Sequence, residues 1–483
     1  MKKALVLILS FVLLVFLLSA CGDAVIGAPA GTAAESADDG VITLTGDGAD
    51  FTCGGVSVSG STVTVSAGGS YTFTGSLDNG SIVVNTGEDA FDVTLILDNV
   101  SVSCKDGPAI YVENAKNVYL ELASGSTNRI VSGTESDMEN VSDLSNGAAI
   151  FSEDDLKITG SGKLEVYGYI NNGITCKDDL HVISGSVSIV AANNGLRGSE
   201  SVKISGGSVD ITAKNDGIKA TSASKEGKGF VLFEDGAVNI VAGGDGASAE
   251  TELTVSGGSV YVETTGDPEL GSSKGLKAKT ALTISGGALS VMSTDHAIHC
   301  SAGVEMTDGT VELSTALSKG IAAHEIISVS GGVLNIVSGN DGIETPKDIS
   351  ISGGVIGIIS GGDGIYCGVK GNGFTPGAGV LSISGGEISV SAAGDPADAK
   401  GEMTVSGGTL IGAGTAKTMK KFSGSQPAIV CAVKGNADAS ISILDSSLIP
   451  AYPFSYVVFS SSELTAGSTY SVCAGSAEVS AVA

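Results

Sequence analysis

Tryptophan is absent from this 483-residue chain, and aromatic residues make up only 5% of it. A core assembled mainly from large rings is therefore excluded. Positive charge is scarce as well, with 25 Lys and Arg against 53 Asp and Glu, a net charge of −28. Nucleic-acid binding depends on Lys and Arg displacing counterions, so this balance excludes nucleic acid as a partner. It speaks equally against an anionic lipid surface. An acidic ligand would need a cation between itself and the protein. No apolar run after residue 20 is long enough to cross a bilayer. There is no EF-hand loop, calcium-binding nonapeptide repeat or Ser/His/Asp signature, and "GGDG" and "SGG" are corner glycines, not a phosphate-cradling loop.

What is present begins with "MKKALVLILSFVLLVFLLSAC". Two lysines, an apolar run and small residues form a secretory signal over 1–20. Leu18-Ser19-Ala20-Cys21 matches a bacterial lipobox, which predicts a lipid on Cys21 and an anchored protein on the extracellular face of the cell membrane. Contact with the membrane would then run only through that lipid. Residues 21–40 are small, polar and Pro/Gly-bearing, a flexible tether. Seven cysteines remain, which in an exported chain suggests disulfides, with one left over. Cys176, Cys300 and Cys367 share one repeat position with glycine, alanine and threonine, so they read as small core residues. Cys431 and Cys473 are a candidate pair; the partners of Cys53 and Cys104 stay open.

The 71 glycines accompany Val, Ile and Ser in a repeat. "VKISGGSVDITAKNDGIKA" from Val202, "ISVSGGVLNIVSGNDGIET" from Ile327 and "ISISGGVIGIISGGDGIYC" from Ile349 are three copies. Ser330 and Ser352 lie 22 residues apart, as do Ser384 and Ser406. Three short β segments per unit at this period predict an all-β chain, a right-handed parallel β-helix with rungs of about 22 residues. Ile174, Leu196, Ile218, Leu276, Ile298, Ile321, Ile343 and Ile365 should form one interior stack. The helix is expected over 41–420, with 41–92 as an N-terminal β cap. Residues 421–483 are expected to form a small antiparallel β C-terminal cap against edge pairing.

One repeat position just ahead of that stack holds Asn172, Asn194, Asp216, Asp245, Lys274, His296, Lys319, Asp341, Asp363 and Asp395. Carboxylates stacked at about 4.8 Å repel and lose solvation. Lys274, His296 and Lys319 offer positive charge in the middle. At Asp216/Asp245 and at Asp341/Asp363/Asp395 the column holds no lysine, and Ca²⁺ would serve, with Asn215 and Asn340 adding carbonyl oxygens. Aspartate capping a turn without metal is the competing reading. Just past the column, Arg197, Lys219, Lys277, His299, Glu344 and Tyr366 are expected to be exposed, the first three and Tyr366 as ligand-binding groups. A cation with Lys219 or Lys277 as base is also the equipment for β-elimination of a uronate. His296 and His299 should point outward, short of a third ligand for a transition metal.

An ordered string runs through "GGSYTFTGSLDNGSIVVNT", "GPAIYVENAKNVYLEL", "AAIFSEDDLKITGSGKLEV", "NNGITCKDDLHV" and "NNGLRGSESVKISGG". It resembles the bacterial family known as carbohydrate-binding domain-containing proteins, extracellular calcium-binding parallel β-helices related in fold to pectate lyases. The resemblance spans about residues 41–475. It implies binding of plant cell-wall polysaccharide, cellulose or an acidic pectin-like glycan, and the chain is expected to be a monomer. Its acidic turns correspond to Asp216, Asp245, Asp341 and Asp363, whereas His296 and Lys319 depart from the pattern. A pectate-type polysaccharide lyase and a non-catalytic surface rod are the alternatives. Tyr167, Tyr169, Tyr261 and Tyr366 offer small stacking platforms.

Overall fold

A computed structural model describes residues 39–87, 91–139, 147–369, 379–415 and 421–483. The signal, Cys21 and most of the tether lie outside these residues. The described chain is all-β apart from one short 3-10 turn at Glu135–Glu139. Its architecture is β-helix-like, with extensive parallel sheets: one of 23 strands, one of 15, and a separate sheet of four.

The period explains this arrangement. Leu180 pairs with Val202, Val187 with Val209, and Leu196 with Ile218, all in parallel register. Each rung thus lays three β segments on those of the rung before. The first two segments merge into bent strands such as Ser201–Ala213 and Ile349–Ser360, and both strips belong to the 23-stranded sheet. The third segment is a three-residue strand such as Ile218–Ala220, and these build the 15-stranded sheet. The expected Gly-Gly corner is therefore a bulge inside a continuous strand, where register slips between Ile351 and Val355. Gly354, the second glycine, sits at φ +89°, a region closed to residues with a Cβ at ordinary cost.

Alternation points one set of side chains inward. Ile174, Leu196 and Ile218 continue through Ala247 to Leu276, Ile298, Ile321, Ile343 and Ile365 in unbroken register, all buried. Full burial of each such aliphatic side chain contributes about 1.5–3 kcal/mol. Cys176, Cys300 and Cys367 lie buried in this sheet.

Both ends depart from the parallel pattern. Val56–Ser59 and Thr62–Val65 form an antiparallel hairpin at the start. At the far end, Phe454–Ser460 runs antiparallel to the last rung strand, Met403–Gly414, and to Ala428–Gly435. The Cys431–Cys473 pairing is not formed, and both thiols are free. Cys431 belongs to a strand of the large sheet facing Val457, whereas Cys473 lies in the four-stranded sheet opposite Glu478. Their strands belong to different sheets.

Candidate functional site

The column ahead of the interior stack is a ladder of side-chain-to-backbone hydrogen bonds. The backbone N–H of Asn194 donates to Asn172 Oδ1 (3.0 Å), and that of Asp216 to Asn194 Oδ1 (3.3 Å). Asp245 N–H donates to Asp216 Oδ1 (2.8 Å), and Lys274 N–H to Asp245 Oδ1 (2.9 Å). Further along, Asp363 N–H reaches Asp341 Oδ1 (2.7 Å), and Asp395 N–H reaches Asp363 Oδ1 (2.8 Å). His296 plays the same part with a ring nitrogen, accepting from Lys319 N–H at 3.4 Å. Each side chain satisfies a backbone donor of the next rung that the β ladder leaves unpaired.

This ladder explains the glycines on either side of the aspartates. A Cβ on Gly217 would fall 2.3 Å from Ile240 Cγ2 and 2.6 Å from Gly246 O, so the residue after Asp216 must be glycine for closeness rather than for a turn. A Cβ on Gly244 would fall 2.5 Å from Asp216 Oδ1 and 2.6 Å from Asn215 Oδ1. The residue ahead of Asp245 is small because the oxygens of the previous rung lie beneath it.

The remaining oxygens of Asp216 and Asp245 are also engaged. Lys219 Nζ lies 2.7 Å from Asp216 Oδ2, and Lys277 Nζ lies 2.8 Å from Asp245 Oδ2. The Ser272 hydroxyl donates to Asp245 Oδ1 at 2.5 Å. The compensating charge therefore comes from the outward strand position three residues after the column, not from the column itself. Lys274 and Lys319 turn instead to Asp295 (2.5 Å) and Glu344 (2.7 Å). These carboxylates do not fit a calcium cage at Asp216 and Asp245, because an ion there would displace an ammonium from each. Among the described residues, no three His, Cys, Asp or Glu side chains converge as metal ligands.

Asn215, Asp216, Lys219, Asp245 and Lys277 meet around one cavity of about 330 Å³. Its outer wall is the insertion carrying Asp267, Leu270 and Ser272, with Leu270 88% exposed. Asp341, Asp363 and Asp395 stack farther along the column, with Asn340 just ahead of Asp341, and the Tyr456 hydroxyl donates to Asp395 Oδ1 (3.0 Å).

Arg197 lies on the outward strip of the same sheet, in register between Thr175 and Lys219. It is half-buried, and burial alone lowers its guanidinium from the ordinary value. No described residue offers it a hydrogen bond or an ion pair. Beside it, the buried Thr175 hydroxyl also has no hydrogen-bond partner. The other arginine, Arg129, stacks over Tyr167 at 4.5 Å. Tyr366 is a correction: it is only 2% exposed, and Lys400 Nζ lies 5.6 Å from its ring centre. It offers no open platform.

Sequence reasoning missed His324. It follows the strand Ile321–Ala323 and brings its ring to 5.4 Å from His299, which in turn stacks on His296 at 5.6 Å. The three line a second cavity of about 280 Å³. His324 lies at the start of the segment between rungs, so rung alignment carried no signal for it.

A family model for carbohydrate-binding domain-containing proteins matches residues 59–319 and 313–448. A carbohydrate-binding domain-containing protein of Acetivibrio thermocellus is 35% identical over 137 residues, 28% of this chain. The chain covers 48% of that curated relative's length. A solved polysaccharide lyase-like protein from C. thermocellum, a gadolinium derivative, is 33% identical with a TM-score of 0.47, covering 51% of this chain and 96% of its own. With more than half of its residues matched by the family model, the chain belongs to the family of carbohydrate-binding domain-containing proteins.

Proposed function

We propose that this protein binds an acidic polysaccharide along the outward strip of the 15-stranded sheet, on a right-handed coil. Crossovers between parallel strands of one sheet are right-handed in nearly all proteins. The observation that carries the ligand class is Arg197. A half-buried guanidinium without a partner is costly, yet here it sits in a chain with 53 acidic residues available to pair with it. A carboxylate delivered by the ligand would complete it, with the Thr175 hydroxyl as a second donor. Lys219 and Lys277 follow on the same strip.

Binding is favoured over cleavage. Each of these lysines directs its Nζ at a column carboxylate, where an abstracting base would have to face the open cavity. Calcium belongs to this reading only at Asn340, Asp341, Asp363 and Asp395, whose oxygens are of the hard type it takes and where the glycan would supply the rest. Calorimetric titration with oligogalacturonate and with cello-oligosaccharide, each with and without chelator, tests the reading. The acidic oligomer is expected to bind more tightly, and Arg197→Gln to weaken it by about tenfold or more. Equal affinity for both oligomers, or an unchanged Arg197→Gln variant, would refute it, and an ultraviolet-absorbing unsaturated product would establish a lyase instead.

A further inference from the structure

Three of the chain's four histidines meet in the second cavity, and two of them, His296 and His299, are held there without charge. His296 Nδ1 accepts the Lys319 N–H and lies 2.5 Å from the Ser318 hydroxyl and 3.4 Å from Asp295 Oδ1, so this ring nitrogen is already engaged. Burial, the largest influence, lowers both His296 and His299 to about 4. The charged neighbours are matched among themselves: Lys319 with Glu344, Lys274 with Asp295, and Lys277 with Asp245. His299 Nδ1 is buried and has no hydrogen-bond partner. The walls thus provide an imidazole donor, an unused ring nitrogen and aromatic faces, with no surplus charge of either sign. Ala322, in register between His299 and Glu344, leaves the space open.

We propose that the cavity framed by His296, His299 and His324 is a subsite for an uncharged sugar ring, so that the preferred glycan combines neutral and acidic units. This rests on the carbohydrate-binding reading above. A hydroxyl-bearing ring matches the donor, the acceptor and the flat apolar faces, and it brings no charge to a site that has none to match. A metal ion fits less well, because His296 Nδ1 is already committed as an acceptor and three ammonium groups lie nearby. Arg197 and His299 occupy the same strip four rungs apart, about 19 Å at strand spacing. One oligosaccharide of a few units can reach both.

The test titrates the full chain with oligogalacturonate, a neutral cello-oligosaccharide and a rhamnogalacturonan oligosaccharide, in which acidic and neutral rings alternate. The alternating oligomer is expected to bind most tightly. His324→Ala should weaken it about fivefold to tenfold, the scale of one or two lost hydrogen bonds, while oligogalacturonate binding stays unchanged. His324 is exposed, so its loss spares the fold. Ala322→Phe, which fills the cavity, should do the same. Alternating-oligomer affinity that is indifferent to both variants, or an equal loss for oligogalacturonate, overturns the inference while leaving the acidic-glycan reading standing. Failure to bind any of the three overturns both. Stoichiometric Zn²⁺ binding that His324→Ala abolishes, with glycan affinity unmoved, overturns the inference in favour of a metal site.

Discussion

Asp216 uses its two carboxylate oxygens for two different tasks. Oδ1 holds the backbone of the next rung at Asp245 N–H, and Oδ2 holds the Lys219 ammonium. Only the second needs a charge, which is why Asn172 and Asn194 serve at the same position two and one rungs earlier. Asp216→Asn should therefore keep the ladder and lose only a partly solvated ion pair, a cost of about 1 kcal/mol or less. Asp216→Ala leaves the buried Asp245 N–H without an acceptor, and about 2–3 kcal/mol of stability should go with it. Urea unfolding of the two variants checks the ordering, and equal costs would show that Oδ1 caps nothing of consequence. The sequence reveals the position through its repetition. It cannot reveal the division of labour, because the acceptor of each oxygen belongs to a different rung or a different strip.

Among elements, "SASKEGKG" (Ser222–Gly229) is an insertion between two rungs. In the structure it returns over the preceding turns. Lys228 Nζ lies 2.7 Å from Asp179 Oδ2 and 2.9 Å from Glu200 Oε2, and Lys225 also pairs with Glu200. Burial opposes ionisation of Asp179 and Glu200, but the lysine hydrogen bonds outweigh it and hold both carboxyls below their ordinary values. Lys228 is raised in turn by these two hydrogen bonds. Carboxyls that bind fewer protons folded than unfolded stabilise the fold above their unfolded pKa of about 4 and lose that contribution as pH falls through the lower folded values. The lysine's contribution is present below about pH 10 and is lost only above its raised folded value. Asp178 shifts upward through burial and its neighbour Glu200, and so acts in the opposite sense. Lys228→Met should thus cost about 1–2 kcal/mol at pH 7 and less at pH 3, in urea titrations at the two pH values. A cost independent of pH would mean that Lys228 acts through packing alone. Distant pairings of this kind are invisible to a rung alignment because they join an insertion to a repeat. The Asp-Gly pairs were visible but misleading: the dipeptide suggests a turn, and the reason for Gly217 is the side chain of Ile240.

For the whole molecule, the period was enough to order the interior stack, because each rung is a copy and stacking copies leaves one register that keeps the aliphatic residues inside. Where the copies stop, so does that legibility. His324 lies between rungs, and the end strands follow no repeat. A coil of parallel strands must end in a strand with unpaired backbone groups, a template for another chain. Here Met403–Gly414 is covered antiparallel by Phe454–Ser460, with Gly412 opposite Val458 and Ala413 opposite Val457. Val458 also faces Val430, so it lies between two partner strands. A proline there removes a ladder hydrogen bond in the middle of a sheet. Val458→Pro should leave the far-UV signature of the stacked rungs largely intact, since each rung depends on its neighbours rather than on the distant end. It should also uncover the edge at Met403–Gly414, and sedimentation velocity should then show association that grows with protein concentration. A variant that stays a single slow species at every concentration would mean that something other than Phe454–Ser460 protects the last rung.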